Sequence, residues 1–405
     1  MAEKQNTPEI RFEGFTDPWE QRKLERLFFE SNERSSSMEI LSVSVANGIY
    51  PASESDRDTN PGASLANYKV VHKGDIVYNS MRMWQGAVGS SDYDGIVSPA
   101  YVVARPAIEL DTTCFGYLLK RPEMLYKYLC DSQGNSKDTQ TLKFNRFADI
   151  EVTMPANLEE QRVISACLGR VDTLITLHQR KYDKLCTVKK SMLDKMFPKP
   201  GETEPEIRFE GFTDPWEQRK LGNCGTTYGG LTGKTKEDFG HGNARFIPYT
   251  NVFDNPLTDT KRLEAVEIDS SQNQVAHGDV FFTVSSETPD EVGMSSVWLS
   301  DQEDVYLNSF CFGYRQDSTF DPHYLAYMLR SSSVRSNLTL LAQGISRFNI
   351  SKNKVMELSV PVPPAVEQKQ IGQCFTKLDH LITLHQRKLE LLRNIKKSLL
   401  DRMFV

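Results

Sequence analysis

The chain has 405 residues, 39% of them hydrophobic and 25% charged, with a net charge of −6. That length predicts two or three domains with sizeable cores. No apolar run approaches the roughly 18 residues of a membrane span, and the opening MAEKQNTPEI has no apolar signal segment, so a cytoplasmic protein with no membrane partner is expected. The seven cysteines (114, 130, 167, 186, 224, 311, 374) are odd in number and contain no CxxC, which indicates neither a disulfide framework nor a zinc site and predicts reduced, mostly buried thiols.

Residues 1–7 read as a tail. The peptide PEIRFEGFTDPWEQRKL follows at 8–24 and returns letter for letter at 205–221. Asp17 before Pro18, with Glu20 after it, has the form of a helix start, and in the second copy Gly222 is placed to stop that helix. Ile10, Phe12, Phe15 and Trp19 give the peptide an apolar docking surface. Identity in two copies implies one structural job done twice.

A divergent segment comes next, 25–158 in the first half and 222–365 in the second, each long enough to be a domain. A common plan survives between them. HKGDIVYN at 72–79 matches AHGDVFFT at 276–283, and GIVSPAYVVARP from 95 matches VYLNSFCFGYRQ from 305; in each domain Gly-Asp predicts a turn and a β-branched or aromatic strand follows. Helical stretches from 115 and 323, a polar loop with Gln-Gly, and a short strand (DIEVTMP, MELSVPVPP) complete each segment. Scaffold is kept while loops diverge, as expected of two modules that read different ligands.

Residues 159–197 and 366–404 then repeat at an offset of 207 and share LITLHQRK. Their apolar spacing is close to 3.5: Ile164, Leu168, Val171, Ile175, His178, Tyr182, Leu185, Lys189, Met192 and Met196, matched by Ile371, Phe375, Leu378, Ile382, His385, Leu389, Leu392, Lys396, Leu399 and Met403. This predicts two coiled-coil helices of about 58 Å with polar interruptions that set register. Each copy is the other's natural partner, in parallel or antiparallel sense. The helices carry +3 and +4 against the whole-chain −6, so the remainder carries −13. PKPGETE at 198–204 reads as an exposed linker.

Catalytic chemistry is hard to find in the sequence. GGLTGKT at 229–235 has only three residues between Gly229 and Gly233, too short for a phosphate-binding loop. FDPHY at 320–324 resembles a methyltransferase motif, but His323 stands where a second proline is needed, and Asp321 before Pro322 fits a helix cap better. His178 and His385 have no carboxylate or cysteine cluster beside them to suggest a metal. No catalytic residue and no metal site is assigned, and a non-catalytic binder is expected.

Two variable domains, each preceded by FEGFTDPWEQRKL and followed by a long helix ending VKKSMLDKMF or IKKSLLDRMF, resemble the specificity subunit of Type I restriction-modification systems, and KGDIVYNSMRMWQGAVG at 73–89 resembles a segment of that family's target-recognition domains. The resemblance implies a mixed α/β (α+β) fold with a pseudo-twofold internal repeat. Two target-recognition domains would be separated by two long helices in an antiparallel coiled coil. The divisions expected are a tail and first peptide (1–24), first recognition domain (25–158), first helix (159–197), linker and second peptide (198–221), second recognition domain (222–365) and second helix (366–405). Each domain would read one half of a bipartite, asymmetric double-stranded DNA site. The partners implied are two modification methyltransferase subunits and ATP-dependent restriction subunits; S-adenosylmethionine, ATP and magnesium would belong to those partners and none to this chain.

The candidate DNA readers are loop residues: Asn79, Arg82, Trp84, Gln85, Asn135, Ser136, Lys137, Asn145 and Arg146 in the first domain, and Thr227, Tyr228, Lys234, Ser285, Ser286, Ser346, Arg347, Asn349 and Lys352 in the second. Arg suits guanine, Asn and Gln suit adenine, and Lys and Ser suit phosphates. The competing reading is a scaffold whose two α/β modules bind proteins on a coiled-coil spacer; a self-contained nucleic-acid enzyme is disfavoured by the missing motifs.

Overall fold

The computed structural model is described for residues 6–55, 64–134 and 140–405. The chain divides into two compact units, Met1–His178 with Arg387–Val405, and Gln179–Gln386. Each unit is built on the same plan.

In the first unit, β1 (Glu20–Lys23) is followed by β2 (Phe28–Glu30), β3 (Leu41–Ser44), β4 (Gly48–Pro51), β5 (Lys69–Val71), β6 (Ile76–Asn79), β7 (Val88–Ser90), β8 (Gly95–Val97) and β9 (Tyr101–Pro106). Helices α1 (Thr112–Leu118), α2 (Pro122–Asp131) and α3 (Phe144–Asp149) lead to β10 (Glu151–Met154) and the long α4 (Leu158–Lys195). The main sheet has the order β2-β9-β6-β7 and is antiparallel throughout. Phe28, Tyr78, Phe115, Tyr128 and Phe147 fill its core, and Ile164 and Leu168 of α4 close it.

In the second unit the strands are β11 (Glu217–Lys220), β12 (Gly225–Gly229) and β13 (Phe239–Ile247); α5 (Tyr249–Asp254) then precedes β14 (Glu264–Val266), β15 (Val280–Thr283), β16 (Ser285–Ser286), β17 (Ser295–Val297), β18 (Val305–Leu307) and β19 (Cys311–Gln316). After them come α6 (Pro322–Met328), α7 (Ser332–Leu340), β20 (Phe348–Asn349), α8 (Lys352–Met356), β21 (Ser359–Val362) and α9 (Ala365–Arg402). The main sheet, β12-β19-β15-β17, copies the first. A second sheet, β14-β13-β18, adds α5 to this unit.

The Gly-Asp turns explain themselves in both copies. Gly74 and Gly278 take φ of +92° and +84°, which glycine adopts without a Cβ clash. The buried Asp75 and Asp279 then accept the backbone N–H three residues back, at 2.9 and 2.8 Å, and pair with Arg105 and Arg315. Asp321 caps α6 by accepting from the Tyr324 N–H at 3.0 Å, as its sequence context predicts.

The repeated peptide departs from expectation. Glu20–Lys23 is no helix but a strand paired antiparallel with Glu151–Met154, and Glu217–Lys220 pairs likewise with Ser359–Val362. The cap signal at Asp17–Pro18 is local, whereas β10 offers a full ladder of backbone partners, and that tertiary pairing wins. Gly222 lies within a short 3-10 turn after the strand. What the peptide docks on is the start of the long helix. Arg11 donates to Glu160 at 2.6 and 2.9 Å, and the Trp19 indole donates to the same carboxylate at 3.2 Å. Arg208, Trp216 and Glu367 repeat this at 2.7, 2.9 and 3.1 Å.

Both long helices form, and every residue of the expected seam is buried or half-buried. The seam lysines answer the question of direction. In the first unit Lys396 pairs with Asp172 at 2.6 Å and lies over the Tyr117 ring, whose hydroxyl donates to Asp172. In the second, Lys189 pairs with Asp379 at 2.5 Å and lies over Tyr327, whose hydroxyl donates to Asp379. Within the first unit the end of α9 lies by the start of α4, where Ile10 donates to the Arg402 carbonyl and Arg11 holds Glu160, while Lys396, earlier in α9, meets Asp172, later in α4, so the helices run antiparallel. Cys114, Cys224 and Cys311 are buried, Cys130 is exposed and the other three are half-buried.

Candidate nucleic-acid interface

One end of each main sheet carries three loops stitched together by the same backbone bonds. In the first unit the Ser80 N–H donates to the Ala100 carbonyl (3.3 Å), the Leu142 N–H donates to the Ser80 carbonyl (2.9 Å), and Gln133 and Thr141 exchange two bonds of 3.0 Å. In the second, Val284 donates to Phe310 (3.0 Å), Ile350 to Val284 (2.9 Å), and Gln343 and Asn349 exchange bonds of 2.9 and 2.8 Å. A rigid sheet thus presents loops after β6, before β9 and before α3, and their counterparts after β15, before β19 and before α8. Side chains on such braced loops can vary without moving the scaffold.

Several predicted readers gather on these loops. In the first unit Arg82 and Gln85 are exposed on the loop after β6, and Asn145 and Arg146 are exposed on α3, just beyond the stitched Leu142. Asn79 ends β6, and its side-chain oxygen accepts from the Met81 N–H at 3.0 Å, shaping the turn. Trp84 packs against the core, and its indole nitrogen is buried without a hydrogen-bond partner among the described residues. Asn135, Ser136 and Lys137 lie outside the described residues.

In the second unit Ser346, Arg347 and Asn349 are exposed on the loop before α8, and Lys352 is exposed at the start of that helix. Ser285 and Ser286 are buried, paired through β16 with Asn349 and Phe348, and the Ser286 hydroxyl donates to Glu291 at 3.0 Å. The remaining three are held elsewhere. Thr227 and Tyr228 belong to β12, with the Tyr228 hydroxyl donating to Asp279 at 2.7 Å. Lys234 pairs with Asp269 at 2.8 Å, and that ammonium group, ahead of Ser271, holds the Asp269 carboxyl well below its ordinary range.

Sequence reasoning missed two groups. Asn353 and Lys354 are exposed at the positions of α8 that match Asn145 and Arg146, a match visible once LKFNR is set against ISKNK. The other is a cleft of about 770 Å³ in the second unit, where Ser285, Ser286, Ser346 and Arg347 meet Tyr249 and Phe253 of α5, Glu287, Glu291 and Phe310. Tyr249 and Phe253 stack with ring centroids 5.9 Å apart. The Tyr249 hydroxyl donates to the Ser285 carbonyl at 2.8 Å, and partial burial raises its pKa, keeping it a donor. No signal in the sequence ties α5 to this cleft, because the helix reaches it from β13, in a sheet separate from the one that carries the loops.

Among the described residues no group of three or more His, Cys, Asp and Glu could hold a metal ion, and no helix is long and apolar enough to cross a membrane. What the loops offer is guanidinium, amide and amine groups on a braced platform, the donor set that suits base edges and phosphates.

Known proteins share this construction. A putative Type I restriction enzyme specificity subunit, MjaX, of Methanocaldococcus jannaschii is 22% identical over 309 residues, 70% of this chain and 65% of that relative, so the chain spans just under two thirds of its length. The MjaVIII specificity subunit of the same organism is 23% identical over 372 residues, 87% of this chain and 85% of the relative. Among solved structures, the S subunit of a Type I restriction-modification system from M. genitalium superposes with a TM-score of 0.57 at 14% identity, covering 98% of this chain and 99% of that one. A chain from a structural study of Type I system assembly and conformational transition gives 0.51 at 17% identity, covering 95% and 97%. Residues 17–186 and 213–394, one stretch for each repeat, both match the Type I restriction modification DNA specificity domain, and the chain belongs to that family.

Proposed function

We propose that this chain is the DNA sequence-specificity subunit of a Type I restriction-modification complex, without catalytic activity of its own. The observation that carries the reading is the duplicated platform: two units with the same sheet and the same stitched loops, but different side chains on those loops. Residues 25–158 and 222–365 each read one half of a split site in double-stranded DNA. Because the loops differ, the site is asymmetric, and half-site spacing mirrors the internal symmetry as in dimeric readers. In the first domain Arg82, Gln85, Asn145 and Arg146 face base edges or phosphates. In the second, Ser346, Arg347, Asn349, Lys352, Asn353 and Lys354 do so.

The helices space the two domains and dock two methyltransferase subunits. Exposed apolar residues recur at matched positions off the seam, Leu174, Leu177 and Val188 in α4 with Leu381, Leu384 and Ile395 in α9, a surface suited to partner helices. Restriction subunits complete the complex, and S-adenosylmethionine, ATP and magnesium are bound by the partners. The complex works in the cytoplasm.

Methylation mapping of cells that carry this chain with its methyltransferase tests the reading. The expected result is one bipartite motif, two different half-sites with a fixed gap, that disappears when this chain is removed. Methylation that persists without the chain, or turnover by the purified chain alone, would overturn it.

A further inference from the structure

The cleft of the second unit has a composition that a simple duplex-facing loop does not need. Phe310 is 61% exposed at its rim, a large apolar side chain presented to solvent. It is held there firmly. Its N–H donates to the Asn308 side chain at 2.9 Å, its carbonyl accepts from Val284, and the following Cys311 N–H donates to the Asn308 carbonyl at 3.3 Å. Inside the cleft lie the Tyr249–Phe253 stack, two exposed carboxylates, Glu287 and Glu291, and the guanidinium of Arg347.

These features select among the parts of a nucleic acid. Phosphates are repelled by the two carboxylates, which have no place on a surface that only tracks the backbone. The flat face of a base stacks well on aromatic rings, and its edge carries amino groups that carboxylates accept and ring acceptors that Arg engages. About 770 Å³ is ample for one nucleotide. Rigid apolar side chains inserted at a base step are the usual means of unstacking it.

We propose that Phe310 wedges into the second half-site and that the cleft beside it receives the unstacked nucleobase. The inference rests on the DNA-reading function proposed above. It also has an internal control. The stitching bonds place Ala100 of the first unit where Phe310 stands in the second, so the first unit has only a methyl group at the position of the wedge.

The test uses the full chain assembled with its methyltransferase and duplexes carrying 2-aminopurine at one position at a time across both half-sites. Binding is expected to raise the fluorescence several-fold at one position of the second half-site. That rise is lost in Phe310→Ala, retained in Phe310→Tyr, and has no counterpart of the same dependence in the first half-site. Because methyltransferases extrude their own target base, a rise that survives Phe310→Ala belongs to them. If the complex still selects its site but no position shows a Phe310-dependent rise, the wedge is overturned and the specificity reading stands. If the complex selects no site at all, the specificity reading falls and this inference with it.

Discussion

The smallest repeated device is a buried carboxylate that gathers a guanidinium and an indole. Glu160 and Glu367 are almost fully buried, and each accepts side-chain hydrogen bonds from the Arg and Trp of a peptide about 150 residues earlier in the chain. Glu160→Ala leaves Arg11 half-desolvated and the Trp19 N–H without an acceptor, a loss of about 2–4 kcal/mol. The expected readout is a fall in Tm, smaller for Glu160→Gln, which keeps one acceptor; an unchanged Tm would show the cluster to be incidental. On the DNA side, Arg82→Ala is expected to cost about 1–3 kcal/mol in binding and relax a single base position of the first half-site. Equal weakening on all sequences would reassign Arg82 to a phosphate. Tyr228 and Lys234 illustrate the limit of reading single residues: both look like loop donors in sequence, yet each is held by a carboxylate brought from 35 to 51 residues away.

At the scale of elements, the long helices were legible because their signal is local and periodic. Heptad spacing over 38 residues demands a partner face, and the polar seam positions mark its register. The pairing Lys189–Asp379 is about a quarter exposed, so Lys189→Ala should cost only about 1 kcal/mol. Lys189→Asp faces like charge and should cost more. Adding Asp379→Lys should then recover part of the loss, and a double mutant no more stable than Lys189→Asp alone would remove these lysines from the register. The repeated peptide was misread at this same scale. Its cap signal is real chemistry, but a strand partner 130 residues away is invisible to any window around Asp17. The Gly-Asp turns were read correctly because the side chain of Asp75 or Asp279 closes the turn on its own neighbours.

At the scale of the whole molecule, two copies of one sequence plan fold into two copies of one platform. If the antiparallel helices are the spacer, inserting one heptad into both, after His178 and after His385, preserves the seam and adds about 10 Å, or roughly three base pairs. Methylation mapping should then find the same half-sites with a gap about three base pairs longer; an unchanged gap would end the ruler idea. The sequence by itself determined the duplication, the coiled-coil seam, the framework turns and the division into conserved scaffold and variable loops, because each is written in spacing, identity or short-range chemistry. Only the tertiary structure decided the antiparallel sense, the strand made by the repeated peptide, the capture of Tyr228 and Lys234, and the cleft around Phe310. Each of these depends on which distant residue comes to lie alongside, and that is fixed by packing and strand pairing that no local pattern records.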